Sequence, residues 1–355
     1  MSEPGSTPEL LPLPDGATPG ASGAPLLEVK NLRTHFNTPR GVLRAVDGVS
    51  LSVARGEILG IVGESGSGKS VLAQSILRVV PSAQRGLLEG SVRFGDVDLM
   101  QLDEEDMRRV RGARIAMVTQ NPSTALNPVF RVGSQLLETL RFHPDRGRGG
   151  ADARARMLAL LAEAQLPAPQ RTARSYPFQM SGGMKQRIAL AMALMTEPEL
   201  LIADEPTTAL DVTIQAQILE LIRNVRRDHG TSVILITHDL GVVARLCDTV
   251  AVMYAGRVVE YNRTADLFAH PRHPYTQGLL ASNPVFGRRQ DHLAAMPGQP
   301  PDMLSLPAGC AFAPRCMQAQ PSCHQLDPPE VSIDPPFRHR CPVQAARLPV
   351  RPATP

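Results

Sequence analysis

The run Gly63-Glu64-Ser65-Gly66-Ser67-Gly68-Lys69-Ser70 constrains this chain more than any other stretch. It has the form G-x-x-x-x-G-K-S, which carries meaning only between a strand and a helix. Both flanks are present. Ile58-Leu59-Gly60-Ile61-Val62 is a continuous apolar run suited to a strand covered on both faces. Val71, Leu72, Ile76 and Val79 then recur at helical spacing until Pro81 ends the pattern. The glycines let successive backbone N–H groups curl inward at the positive end of that helix. Lys69 can then reach the β- and γ-phosphates of a nucleotide, and Ser70 can offer a hydroxyl to Mg²⁺. The stretch implies a bound nucleoside triphosphate.

Upstream, the alternation of Leu27, Val29 and Leu32 within Leu26 to Phe36 predicts an edge strand. Gly41 to Val53 predicts two short strands, with turn chemistry at Asp47-Gly48 and Arg55-Gly56. Another strand is expected around Ser91 to Gly95, completing a small antiparallel layer. Ile115 to Thr119 is an apolar strand ending at Gln120. Asn121 to Met180 is mostly helical, with an amphipathic segment from Ala151 to Gln165 and a mobile Gly/Arg-rich loop from His143 to Gly150. From Ser181, helices (Met184 to Met195, Ile214 to Arg226, Leu240 to Cys247) alternate with strands (Leu200 to Ala203, Ser232 to Ile236, Thr249 to Met253). Such alternation implies a parallel sheet with right-handed crossovers. Beyond about His270 the chain turns Pro-dense and four of its five cysteines appear.

Two further elements bear on phosphate chemistry. Leu200-Leu201-Ile202-Ala203 ends in Asp204-Glu205, and strand ends of a parallel sheet are where α/β proteins bind ligands. Asp204 is expected to hold Mg²⁺ and Glu205 to polarise an attacking water. Ser181-Gly182-Gly183 opens a helix whose N-terminus favours an anion. A nucleotide already held by one loop needs no second anion site in the same chain, so this one is expected to serve a second subunit.

The order of these motifs resembles the ATP-binding cassette family of transporter ATPases. The resemblance implies a switch glutamine at Gln120, a signature at Ser181-Gly182-Gly183, and magnesium and catalytic carboxylates at Asp204 and Glu205. It also implies a loop at Ala209-Leu210-Asp211 that meets the nucleotide and a switch histidine at His238. Two cassettes then face each other head to tail, each ATP lying between one phosphate loop and the other's signature. Here the signature reads M-S-G-G-M where L-S-G-G-Q is commoner, so one polar side chain is lost. Phe36 is the candidate for stacking on adenine. The fold implied is an α/β P-loop cassette with a parallel core sheet, an antiparallel β-subdomain and a helical subdomain. The boundaries expected are a disordered leader over 1–25, the ATPase domain over 26–270 with its helical subdomain over 121–185, and a C-terminal extension over 271–355.

Asn121 to Pro128, Asp204 to Thr213, His273-Pro274-Tyr275-Thr276 and Gly309 to Cys316 are similar to the dipeptide and oligopeptide importer ATPases, a group that includes nickel importers. The partners implied are two membrane-spanning permease subunits, a second cassette (identical or homologous) and an extracytoplasmic solute-binding protein. The location implied is the cytoplasmic face of the membrane. A soluble cassette protein of DNA repair or translation is the rival. No long heptad insertion separates the phosphate loop from the signature, and only one cassette is present, both against that rival. A net charge of +3 with no Lys/Arg run gives no footprint for nucleic acid.

Cys310, Cys316, Cys323 and Cys341 have the spacing C-x5-C-x6-C-x17-C, without the close pair usual in structural zinc sites. On residues alone a metal site, free thiols and disulfides all stay open, the metal being favoured by the clustering. The resemblance implies a [4Fe–4S] cluster on these four thiolates. Cys247 reads as a small core residue, and His270, His273 and His339 as capping or solvated.

Overall fold

In a computed structural model, which describes residues 24–80, 85–143, 150–208, 210–282 and 296–345, every residue of Ile58–Val62, Leu200–Asp204 and Ser232–Ile236 is buried. Continuous apolar runs end up this way when layers cover both faces of a sheet. In chain order the strands are β1 Leu27–Thr38, β2 Gly41–Val53, β3 Ile58–Val62, β4 Arg85–Phe94, β5 Val97–Asp98, β6 Ile115–Val118, β7 Leu200–Asp204, β8 Ser232–Ile236, β9 Thr249–Tyr254, β10 Arg257–Arg263, β11 Val331–Asp334 and β12 Phe337–His339. The helices are α1 Lys69–Ile76, α2 Glu104–Val110, α3 Pro122–Ala125, α4 Val132–Phe142, α5 Gly150–Glu163, α6 Pro169–Arg174, α7 Gly182–Ala193, α8 Val212–His229, α9 Leu240–Leu246, α10 Thr264–Ala269, α11 Pro274–Ala281, α12 Pro321–Gln325 and α13 Pro342–Ala345. Most of the leader, Pro81, Ala209 and the centre of the Gly/Arg-rich loop lie outside the described residues.

Two sheets form. β2-β1-β4-β5 is antiparallel, as the front end of the sequence implies. The larger sheet runs β11-β12-β10-β9-β3-β8-β7-β6, with β9, β3, β8, β7 and β6 parallel. Alternation along β3 divides the interior: Ile58 and Val62 join a core shared with α4, α5, α7, α8 and α9, while Leu59 and Ile61 face the antiparallel layer and α1.

Three elements differ from expectation. β1 is not an edge strand but lies between β2 and β4, paired with both. Gly41 to Val53 is one strand, because Asp47-Gly48 makes a bulge instead of a turn. Leu32 pairs with Val49 and Arg33 with Asp47, so Gly48 is skipped, at φ 76°. The tail is also tied to the main sheet: Glu260 and Tyr261 of β10 pair with His339 and Arg338 of β12. Glu260 is fully buried there, and its carboxylate accepts from the N–H groups of Arg272 and His273 (2.8 Å each) just before α11. No helix among the described residues is long and apolar enough to cross a membrane.

Candidate functional site

The phosphate loop leaves the C-terminal end of β3 and delivers Lys69 and Ser70 as the first two residues of α1. Its backbone is too crowded for side chains at two points. A Cβ on Gly63 would lie 2.2 Å from the Met253 carbonyl oxygen, and one on Gly68 (φ 101°) 2.2 Å from that of Ala45. Only glycine admits so close an approach at such a φ. Between them lie Glu64, Ser65, Gly66 and Ser67, with the Ser67 amide donating back to the Glu64 carbonyl (3.2 Å).

Lys69 is buried at 5% exposure, and its ammonium donates to the carbonyl oxygens of Gly63 (2.8 Å) and Glu64 (2.9 Å). Burial pulls its pKa down, opposed by the carboxylates of Glu205, Asp204 and Glu64. Ser70 Oγ donates to Asp204 Oδ1 (3.1 Å), joining α1 to the end of β7. Burial raises the Asp204 pKa and the Glu205 charge adds to it, while the Ser70 bond and Lys69 work against it. A hydroxyl beside a carboxylate suits Mg²⁺, which usually binds through one or two protein oxygens together with substrate phosphates and waters.

Glu205 sits at φ 46°, a left-handed conformation costing on the order of 1–2 kcal/mol for a residue with a Cβ. Its amide donates to the Ile236 carbonyl (2.9 Å), which holds that geometry at the sheet edge. Oε2 accepts from Gln120 Nε2 (2.9 Å) and from Thr208 Oγ1 (2.8 Å), and His238 Nδ1 stands 3.7 Å away on a mostly exposed side chain. Glu205, Gln120 and His238 therefore converge although they come from three different strand ends. Thr208 joins them without having been singled out by the sequence, although it lies within the stretch Asp204 to Thr213.

Ser181 and Asp211 do something more local. Each caps a helix: Ser181 Oγ accepts from the Met184 amide (3.3 Å) at α7, and Asp211 Oδ1 from the Ile214 amide (2.9 Å) at α8. Gly182 faces open space, whereas a Cβ on Gly183 would collide with Ile214, so α7 and α8 meet at the signature. Among the described residues no hydrogen bond joins Ser181, Gly182 or Gly183 to the phosphate loop of the same chain. Phe36 is half-buried on β1, opposite Leu43.

The four tail cysteines are free thiols that line one cavity with His273 and Phe312. Burial pushes Cys310 up to about 11 and raises Cys316 and Cys341, with neighbouring cysteines adding to each shift. Among the described residues no three His, Cys, Asp or Glu side chains are arranged to hold a metal ion. The expected [4Fe–4S] cluster is thus not supported beyond the four free sulfurs that line one space. His273 Nδ1 caps α11 by accepting from the Tyr275 amide (3.1 Å), and burial lowers its pKa to about 3. Cys247 is a core residue under Gly60.

Comparison with known proteins bears on the family and the fold. A family model described as "ABC transporter" matches residues 46–208, and one described as "Oligopeptide/dipeptide transporter, C-terminal region" matches residues 259–323. The chain is 46% identical to the oligopeptide transport ATP-binding protein OppD of Haemophilus influenzae, over 83% of this chain and 90% of that one. It is 50% identical to the dipeptide transport ATP-binding protein DppD of Bacillus subtilis, over 82% and 86%. Among solved structures, the ATP-binding cassette MJ0796, a dimer bound to ADP and phosphate in a post-hydrolysis state, superposes with a TM-score of 0.60 at 28% identity, over 67% of this chain and 98% of that one.

Proposed function

From the premise that this chain belongs to the ABC transporter family, in its oligopeptide/dipeptide branch, we propose that it is the ATP-hydrolysing subunit that powers peptide uptake at the cytoplasmic face of a membrane. The observation that carries the reading is the meeting of Lys69, the Ser70–Asp204 pair and the Gln120–Glu205–His238 group around one glycine loop.

In this reading Gly63 to Gly68 wrap the phosphates with backbone N–H groups, and the Lys69 ammonium exchanges its carbonyl partners for β- and γ-phosphate oxygens. Ser70 and Asp204 hold Mg²⁺, which when bound offsets charge developing on the transferring phosphoryl group. Glu205 orients water for in-line attack on the γ-phosphorus and takes up its proton. His238 donates to the γ-phosphate, and Gln120 reports the occupied site to the helices after it. Positioning and electrostatics supply most of the acceleration in such chemistry. Asp211 borders the site and Phe36 stacks on the adenine.

The assembly we propose has two permease subunits, a second cassette whose phosphate loop faces Ser181 to Gly183, and an extracytoplasmic solute-binding protein. We assign residues 26–270 to the ATPase domain, its helical subdomain over 121–185, and residues 271–355 to the extension. The tail cysteines hold a [4Fe–4S] cluster in this reading, supported by a four-sulfur donor set around one cavity.

Glu205→Gln in the complex assembled with its permease subunits tests the reading. Turnover is expected to fall about 100-fold or more while MgATP binding persists, since the amide keeps the hydrogen bonds and loses the base. Near-wild-type turnover, or an active chain that never co-purifies with membrane proteins, overturns it.

A further inference from the structure

Glu64 is an odd residue for a loop that receives a triphosphate, because its carboxylate should repel the ligand. Its neighbours resolve the conflict. Arg315 donates to it in a fork, Nη1 to Oε2 (2.7 Å) and Nη2 to Oε1 (2.9 Å), and the Arg315 side chain is only 5% exposed. The guanidinium is itself fixed: Nε donates to the Pro297 carbonyl (2.9 Å), and its carbon lies 5.9 Å from the ring centroids of both Tyr254 and Phe312. The Glu64 amide is held as well, donating to Tyr275 Oη (2.9 Å), and Tyr275 packs on Tyr254 with centroids 4.5 Å apart. A cavity of about 430 Å³ opens at this junction, lined among others by Gly63, Glu64, His238, Met296 and Arg315.

Arg315 lies between Cys310 and Cys316 on one side and the phosphate loop on the other; its chain neighbour is Cys316, which faces the thiol cavity. Resting on the ATPase reading above, we propose that Arg315 is a positioning residue for nucleotide binding, cancelling the Glu64 charge and bracing the start of the phosphate loop from the cysteine-bearing tail. Planar, bidentate and always charged, arginine suits the task in a way lysine does not. ATP affinity then depends on a segment 251 residues away in the chain. The order of the thiol cavity is communicated to the nucleotide through one ion pair.

Calorimetric titration of the full-length chain with MgATP tests this. Arg315→Gln leaves Glu64 uncompensated and is expected to raise Kd about threefold to tenfold, or about 0.6–1.4 kcal/mol. Adding Glu64→Gln to that variant removes the stranded charge and is expected to recover most of the loss, an outcome a merely structural role would not produce. Arg315→Lys, which keeps the charge in the tail, is expected to fall between wild type and Arg315→Gln, and serves if the glutamine variant does not fold. An unchanged Kd in Arg315→Gln, or a double variant as weak as that single one, overturns the proposal while leaving the ATPase reading in place. A wild-type chain that binds no MgATP overturns both.

Discussion

Between Gly63 and Ser70 the bonds that shape the turn itself run between near neighbours, while Glu64 and Ser70 also reach Tyr275, Arg315 and Asp204. The Lys69 ammonium bonds to Gly63 and Glu64 carbonyls, the Ser67 amide to Glu64, and the helix that follows begins at once. Between Gly309 and Cys341 the partners come from afar. The Cys310 amide donates to the Cys323 carbonyl (2.8 Å), Arg315 reaches Glu64, and the β11–β12 pair joins the main sheet through β10. Little of the tail is regular structure, and its four sulfurs share a cavity closed by α11 and α13 residues such as Pro274 and Val343. A site of the first kind carries its geometry in a short motif. One of the second kind borrows geometry from the rest of the fold and is correspondingly easier to disturb.

That contrast can be broken from the tail side first. If four thiolates and a cluster hold the segment together, anaerobically purified protein should contain about four iron and four sulfide per chain. Cys310→Ser should abolish both and lower Tm by several degrees. Elemental analysis with a thermal melt reads the outcome. Zinc would replace the cluster by another clip, whereas no metal or a silent Cys310→Ser would mean that packing alone orders the tail, and the contrast with the phosphate loop would shrink.

A smaller effect is expected at the loop itself, where function rather than stability sets the arrangement. Asp204 is buried beside Glu205, so its folded pKa lies above the ordinary 3.8. For an acid raised in this way, the stabilising contribution is fully present below 3.8 and disappears as pH rises through the folded value. At neutral pH the ionised group is a net cost. Asp204→Asn should therefore raise the Tm of the nucleotide-free chain on the order of 2 °C at pH 7, with little gain at pH 3, while hydrolysis is lost. A lower Tm at pH 7 would show that the Ser70 bond outweighs burial.

How much of this was readable in the sequence follows the same divide. β3, β7 and β8 are uninterrupted apolar runs, and the loop, Asp204 and Glu205 sit at their ends, so spacing alone located them. β10 escaped because Arg-Val-Val-Glu-Tyr-Asn-Arg looks half polar, yet Glu260 and Asn262 are both buried. The distant amides of Arg272 and His273 help to make the Glu260 carboxylate tolerable there, and local pattern cannot reveal them. Asp47-Gly48 has the composition of a turn, but pairing of β2 with β1 on both sides of it turns the glycine into a bulge. Thr208, Tyr275 and Arg315 all lie inside recognisable motifs. Their roles became visible only once Glu205 and Glu64 had positions. Conversely, Ser181 and Asp211 read as nucleotide groups in the sequence, whereas the structure shows them as helix caps, and spacing does not separate the two roles.

In the proposed assembly the phosphate loop is half of a site whose other half is another subunit's Ser181 to Gly183. The most direct measurement is ATP turnover per chain as the purified full-length protein is diluted, and then as it is assembled with its partner cassette and permeases. Turnover per chain is expected to fall steeply on dilution and to be restored on assembly. Full turnover by a demonstrably monomeric chain would contradict it.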